Sequence, residues 1–319
     1  MNIFEKGELR LLWPFYLSML ITNIFYILPA FVILYFQDVG LSLTQIGFLF
    51  SLQAFTMLLF EVPTGAIADT YGRKFSTILG EIIGGLSFIS IYWFHSYPAL
   101  LIIFAIFGIS LTLISGADVA WIVDLLHHKR KKKFVHQFMA KRHSFTSFSL
   151  IFAGIIGAFL VKSYGLSIIW LVTGGGIILG SFFKAIGQEH FIRRKQHIIK
   201  EFTSLFSHTK KALVYTGKHE FIFLLIVIAG LFTLVLSFAG QITWIPYLSG
   251  LGFPDYWFGY LLSITGLSGI FAPLLTKKVV EFTGGYNRYL KFVVLIGGII
   301  LLIVGFTNIL IFGVALFIL

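Results

Sequence analysis

The sequence predicts an all-α fold, a polytopic membrane helix bundle. Three observations carry that prediction. Hydrophobic residues make up 58% of the 319 and charged residues 12%, where a soluble domain carries charge on about 25%. The apolar residues fall in long unbroken runs. Lys and Arg concentrate in every second interval between those runs.

The runs predict spans over 11–36, 45–66, 75–94, 98–124, 145–162, 167–186, 220–248, 256–276 and 289–306. Each approaches or exceeds the roughly 20 residues that cross a bilayer as a helix. In lipid every backbone polar group needs an internal partner, so such runs are helices. A transmembrane β-barrel is excluded because its strands alternate apolar and polar residues over about ten positions. A tenth run begins near Asn308 and the chain ends at Leu319. Those residues reach only about 18 Å as a helix, so the expectation is a truncated or frameshifted sequence of about 9–10 spans.

Charge placement orients the bundle. Arg73 and Lys74 lie between spans two and three, and Lys129 to Lys133, Lys141 and Arg142 between four and five. Arg193, Arg194, Lys195, Lys200, Lys210, Lys211 and Lys218 lie between six and seven, and Lys277 and Lys278 after eight. The alternate intervals hold little beyond Asp38, His95, Lys162 and Asp255. Short loops rich in Lys and Arg stay in the cytoplasm, which predicts a cytoplasmic amino terminus in a plasma (cell inner) membrane. The net charge of +11 is thereby a topology signal and excludes nucleic acid as the expected partner. HHKRKKK could also touch anionic lipid. MNIFEKGELRLLWPF reads as an amphipathic cytoplasmic lead-in, not a removable signal peptide. There is no cysteine, hence no disulfide framework or thiolate metal site.

The long polar stretch divides the chain into a six-helix bundle over 1–188, a basic cytoplasmic linker over 189–219 and a partial bundle over 220–319. A gapless offset of 212 aligns GLSLTQIGFLFS with GFPDYWFGYLLS, pairing Gly40 with Gly252, Gly47 with Gly259, Leu49 with Leu261 and Ser51 with Ser263. In the same register Asp69 meets Glu281 and Gly72 meets Gly284. Span two therefore repeats as span eight, and span seven opens a second half.

After span two the chain reads Gly65-Ala66-Ile67-Ala68-Asp69-Thr70-Tyr71-Gly72-Arg73-Lys74. Gly65 permits close helix approach, and Gly72 suits a tight turn with unusual backbone angles. The plain reading is a tight polar loop. The stretch also resembles the major facilitator superfamily signature G-x-L-A-D-[RK]-x-G-[RK]-[RK]. Gly65, Ala68, Asp69, Gly72, Arg73 and Lys74 match, Ile67 is a mild change, and Thr70 departs by lacking a basic side chain. The resemblance implies an MFS-like fold and a conformational latch, in which Asp69 helps hold the halves in the outward-facing state. It also implies that Arg73 pairs with an acid at the inner end of span four, where Asp124 stands.

Charges within a bilayer cost at least about 2.5 kcal/mol each and usually face a cavity or a partner. Asp118, sharing a face with Ser115 at i, i+3, is the candidate for substrate or proton coupling. The alternative is a structural bond to a neighbouring helix or a basic residue. Glu61 and Glu81 read as structural, pairing through shared protons or with Arg73. Asn23 with Tyr26 in span one and Gln241 with Trp244 in span seven form matching polar faces. The resemblance implies that these four line the central cavity with Asp118. Pro29 and Pro246 should kink their spans.

Glycine clusters at Gly80 with Gly84 and at Gly174 to Gly176 read as packing faces. No strand precedes them, so no dinucleotide or phosphate loop is expected. No cofactor is expected, and no metal, since the histidines scatter among lysines without ligand spacing. A membrane enzyme would need clustered nucleophiles or ligands at one face, and none is seen. The expected function is secondary active transport of a small-molecule substrate by alternating access, as proton-coupled efflux across a lipid bilayer. The alternative expectation is a non-transporting remnant or a regulatory binding protein.

Overall fold

A computed structural model describes residues 4–190, 215–217, 219, 222–230 and 241–306. Among these residues the secondary structure is helical throughout. Eleven labelled helices run in order: α1 (Glu8–Phe25), α2 (Leu28–Asp38), α3 (Leu43–Tyr71), α4 (Arg73–Ile91), α5 (Tyr97–Ile114), α6 (Ala117–His128), α7 (Lys133–Tyr164), α8 (Ile168–Ala185), α9 (Gln241–Gly250), α10 (Trp257–Thr283) and α11 (Tyr286–Phe306). A further helical stretch covers 222–230. Six segments among the described residues are long and apolar enough to cross a membrane, from Glu8–Asp38 to Ile168–Ala185. They correspond to the first six predicted spans. The notional tenth span, most of the basic linker and part of span seven fall outside the described residues.

Two spans are broken, each for a visible reason. Span one splits at Tyr26 because Pro29 has no N–H to give the carbonyl of Phe25. Thr173 Oγ1 on α8 donates to that carbonyl instead, at 3.1 Å. Span four splits at Ser115 and Gly116, where Gly116 takes φ +69°. The Ala117 N–H turns to Ser115 O at 2.7 Å, and Ser76 Oγ on α4 donates to Leu113 O at 2.7 Å. A neighbouring hydroxyl thus replaces a lost backbone bond at a broken membrane helix.

Several boundaries move from the sequence expectation. Residues 65–71 are not a loop but the last turns of α3. Lys133, Lys141 and Arg142 ride on α7, which begins far before the predicted residue 145. Fewer polar residues separate spans four and five than expected, because long basic side chains extend a helix past the hydrocarbon without penalty. The lead-in is tied to this extension. Glu5 pairs with Lys133 and Gln137, and these hydrogen bonds hold its carboxyl below the usual range. Buried Glu8 takes Lys141 Nζ, with its other oxygen at 2.6 Å.

Close helix approach organises the interior. A Cβ on Gly80 would stand 2.7 Å from Ser110 O, and one on Gly174 2.5 Å from Gly85 O. The glycine clusters are therefore packing faces, which bring α4 against α5 and α8. The outer faces carry Leu58, Phe159 and Phe182, all largely exposed, as a lipid-facing surface requires.

The first six spans meet the later helices α9 and α10 through α2 and, above all, α7. A Cβ on Gly154 would lie 2.2 Å from Gly259 O, and one on Gly266 2.7 Å from Ser147 O. Ser263 Oγ bonds Ile151 O at 2.8 Å. The internal repeat has a backbone counterpart. Gly40 and Gly252 take φ +87° and +82°, and α3 and α10 end one residue before Gly72 and Gly284, both at positive φ.

Candidate functional site: a motif turn and a buried charge network

The motif residues meet at one end of the bundle. Gly72 is the sole link between α3 and α4, at φ +108° and ψ +147°. Its N–H closes α3 on Ala68 O, and its carbonyl accepts Ser76 N–H, each at 3.1 Å. This is a backbone region that is almost only open to glycine, so Gly72→Ala is expected to cost about 1–3 kcal/mol. Thermal unfolding of the purified protein in lipid nanodiscs would measure it.

Arg73 forms an ion pair with Asp124 on α6. Both side chains are partly exposed, so the pair adds little stability, roughly 0–1 kcal/mol. Asp69 is half-buried and makes no hydrogen bond or ion pair among the described residues. Gly65 sits on α3 with open space beside it. Lys74 and the segment after α8 meet in an arrangement that sequence reasoning missed. Lys74 Nζ donates to Gly187 O at 3.0 Å, and the Lys74 N–H donates to Glu189 Oε1 at 2.8 Å. Glu189 thereby caps the amino terminus of α4, where a carboxylate is favoured. Trp121 Nε1 adds a bond to Gln188 O at 2.9 Å. The first acid after an apolar span was the available signal.

Deeper in the bundle lies a second charged group. Lys184 on α8 is buried and reaches two acids: Glu81 on α4, by a short contact, and Asp118 Oδ1 at 3.0 Å. Arg142 on α7 stands 3.9 Å from Asp118 Oδ2. Asp118 falls in the first turn of α6 because span four breaks at Gly116, and it also faces the positive end of that helix. Four spans thus place two acids and two bases around one point.

Ser115 and Asp118 were expected to share a face, and they do not. The break at Gly116 turns Ser115 towards α3, where its Oγ donates to Glu61 Oε1 at 3.1 Å. Glu61 and Glu81 likewise do not pair with each other or with Arg73. Lys184 was overlooked although it is a charge within a predicted span, which is itself a signal. Arg142 was read as a loop residue because the start of α7 was placed too late.

The network borders a cavity of about 460 Å³ among α1, α4, α5, α6, α7 and α8. Asn23, Tyr26 and Asp118 line it together with Glu81, Arg142 and Lys184. Asn23 Nδ2 donates to Met19 O at 2.7 Å. Trp244 lies elsewhere, edge-on to Tyr247. Gln241 opens α9, and its side chain lies outside the described residues.

A bundle of apolar spans, two of them broken beside a charged interior cavity, defines a multi-pass membrane protein of transporter architecture. The family profile described as Major Facilitator Superfamily matches residues 15–319, and the chain belongs to that superfamily. This is a transporter family, not an enzyme family.

An uncharacterized MFS-type transporter of Bacillus subtilis (strain 168), YxaM, is 27% identical over 261 residues, covering 77% of this chain and 60% of that protein. The chain therefore spans 60% of the length of that relative. A bicyclomycin resistance protein homolog of Haemophilus influenzae is 26% identical over 291 residues, covering 88% of this chain and 67% of that one. Among solved structures, a D-xylose-proton symporter superposes with a TM-score of 0.63 at 14% identity, covering 96% of this chain and 79% of that chain. At that identity the likeness concerns the fold.

Proposed function

We propose that this protein moves a small solute across the plasma membrane by alternating access, as proton-coupled export, with its amino terminus in the cytoplasm. The halves over 1–188 and 220–319 rock against each other, with 189–219 joining them on the cytoplasmic side and the cavity lying within the first half. The observation that carries the reading is the charge network of Glu81, Lys184, Asp118 and Arg142 beside that cavity. Ionisable groups held within a membrane bundle are costly and mark substrate or proton pathways. The name of the Haemophilus relative favours export, and that of the symporter favours coupling to protons.

Asp69, Arg73 and Asp124 with Gly65, Gly72 and Lys74 form the latch. The ion pair of Arg73 with Asp124 holds α4 to α6 within one half, and Asp69 stays available to the other half. A ligand or proton shifts the balance of the two states only by binding one of them better. Lowering the affinity of Asp69 for its partner therefore changes the balance rather than the fold.

Asp69→Asn is expected to reduce flux in proteoliposomes at least tenfold while yield and thermal midpoint stay unchanged. Flux of candidate solutes is measured with and without an imposed proton gradient. Gradient-independent flux of every solute would remove the proton from the proposal, and full flux by Asp69→Asn would remove the latch.

A further inference from the structure

The four charges of the network do not open equally onto the cavity they border. The Arg142 side chain is 43% exposed, against 18% for Asp118, 11% for Lys184 and 8% for Glu81. Lys184 is engaged by both acids. Arg142 is held more loosely. Its Nη2 stands 3.9 Å from Asp118 Oδ2, too far for a hydrogen bond. Its guanidinium makes no hydrogen bond among the described residues. Asp118 and Arg142 both line the cavity, so this long contact places the guanidinium on the cavity side of α7. A partly exposed pair at that distance adds little stability, and a structural role leaves the open guanidinium unexplained.

Two acids and two bases sum to zero, yet the accessible part of the network is positive. The acids are more buried than Arg142, and Lys184 stands against each of them. A guanidinium carries five N–H donors in a planar fork. The contact with Asp118 involves Nη2 alone, which leaves Nε and Nη1 without an acceptor among the described residues. A carboxylate matches such a fork with two parallel, charge-assisted hydrogen bonds. A cation would have to pass the guanidinium to reach acids that Lys184 already holds. An uncharged solute would gain no ion pair. About 460 Å³ lies within the range of small-molecule pockets. Phe15, Phe88, Phe107 and Phe138 supply an apolar wall, which suits an apolar body behind the charged head.

We infer that Arg142 anchors a binding subsite for a small organic carboxylate with an apolar body. Asp118 positions the guanidinium from one side and does not itself bind the solute. The inference rests on the transport reading of the same cavity and adds the substrate class to it.

Three probes sharing a phenyl ring separate the classes: 3-phenylpropionate, 3-phenylpropylammonium and 3-phenyl-1-propanol. Each is titrated by ligand-observed NMR against the purified chain in phosphatidylcholine nanodiscs, where no anionic headgroup competes. The carboxylate is expected to bind at least tenfold more tightly than either other probe. Arg142→Gln is expected to weaken it at least tenfold and to bring it level with the alcohol. Arg142→Lys keeps the charge but loses the fork, and is expected to weaken it about threefold. Lys132→Gln removes the same charge from the exposed turn before α7 and is expected to leave it unchanged. The ranking of the probes on the parent protein keeps the test valid even if Arg142→Gln does not fold. Equal or tighter binding of the ammonium or the alcohol, no binding of the carboxylate, unchanged carboxylate affinity in Arg142→Gln, or an equal loss in Lys132→Gln would each overturn the subsite. Carboxylate binding with the expected loss in Arg142→Gln, but without gradient-driven flux of any solute, would uphold the subsite and overturn the transport reading. Gradient-driven flux confined to uncharged or cationic solutes would do the reverse.

Discussion

Lys184→Met is expected to destabilise the protein by about 3–5 kcal/mol, the range for removing one partner of a buried ion pair. The ammonium of Lys184 is the contact common to Glu81 and Asp118. Without it, Glu81 is left buried with no cation beside it, and Asp118 keeps only Arg142 at 3.9 Å. Two carboxylates then share a low-dielectric site, and either ionising both or protonating one costs folding free energy. The loss is read as a fall in the unfolding midpoint in nanodiscs. A triple variant, Lys184→Met with Glu81→Gln and Asp118→Asn, is expected to recover most of it, because a neutral site of similar shape no longer buries unmatched charge. A midpoint equal to that of the parent in Lys184→Met would show that water, not protein, solvates this network.

Gly154→Val is expected to separate the two halves. The backbone of α7 comes so close to α10 that a Cβ at 154 would lie 2.2 Å from both Gly259 O and Ser263 Oγ. Backbone cannot yield as a flexible side chain can, so overpacking there is expected to cost about 3 kcal/mol or more. The damage should be local. The first six spans make their own contacts among α1, α3, α4, α5, α7 and α8, and the atoms nearest a Cβ at 154 all belong to α10. Limited proteolysis should then cut between the halves faster in Gly154→Val, while a fragment holding the first six spans keeps its resistance. Equal cleavage of the variant and parent would mean that the α7–α10 contact is not what holds the halves together. Gly175, with open space around it, is the matched control, and Gly175→Val should leave the pattern unchanged.

How much was legible differs between the two charged regions. The motif was readable because it is local. Gly72, Arg73 and Lys74 are consecutive, and the positive φ of Gly72 follows from joining two helices with a single residue. The pairing of Arg73 with Asp124 was anticipated through the family resemblance rather than from spacing. The interior network was only half visible. Asp118 stood out as an acid in a span, but its partner Lys184 lies 66 residues away in sequence, and no periodicity links them. Arg142 was hidden by a boundary. Charge was taken to mark the end of a span, whereas α7 carries its basic residues on a helix that runs on past the apolar stretch.

The pairing of Ser115 with Asp118 failed for an instructive reason. It assumed an unbroken helix, and helix periodicity holds only while each carbonyl finds its N–H four residues on. Gly116 at φ +69° ends that pattern. Whether a glycine within an apolar run bends the chain depends on its neighbours. Here Ser76 stands ready to take the carbonyl of Leu113, and without such a partner in lipid the break would be too costly.

By itself, then, the sequence determined that this chain is a set of membrane helices, their order, their family and the turn at Gly72. Those properties depend on composition along the chain and on backbone geometry within a few residues. Only the tertiary structure decided which charges share a site, where spans one and four break, and how closely α7 meets α10. Each of these depends on atoms from helices distant in sequence. In a solvent that offers no hydrogen bonds, such atoms are the only partners available.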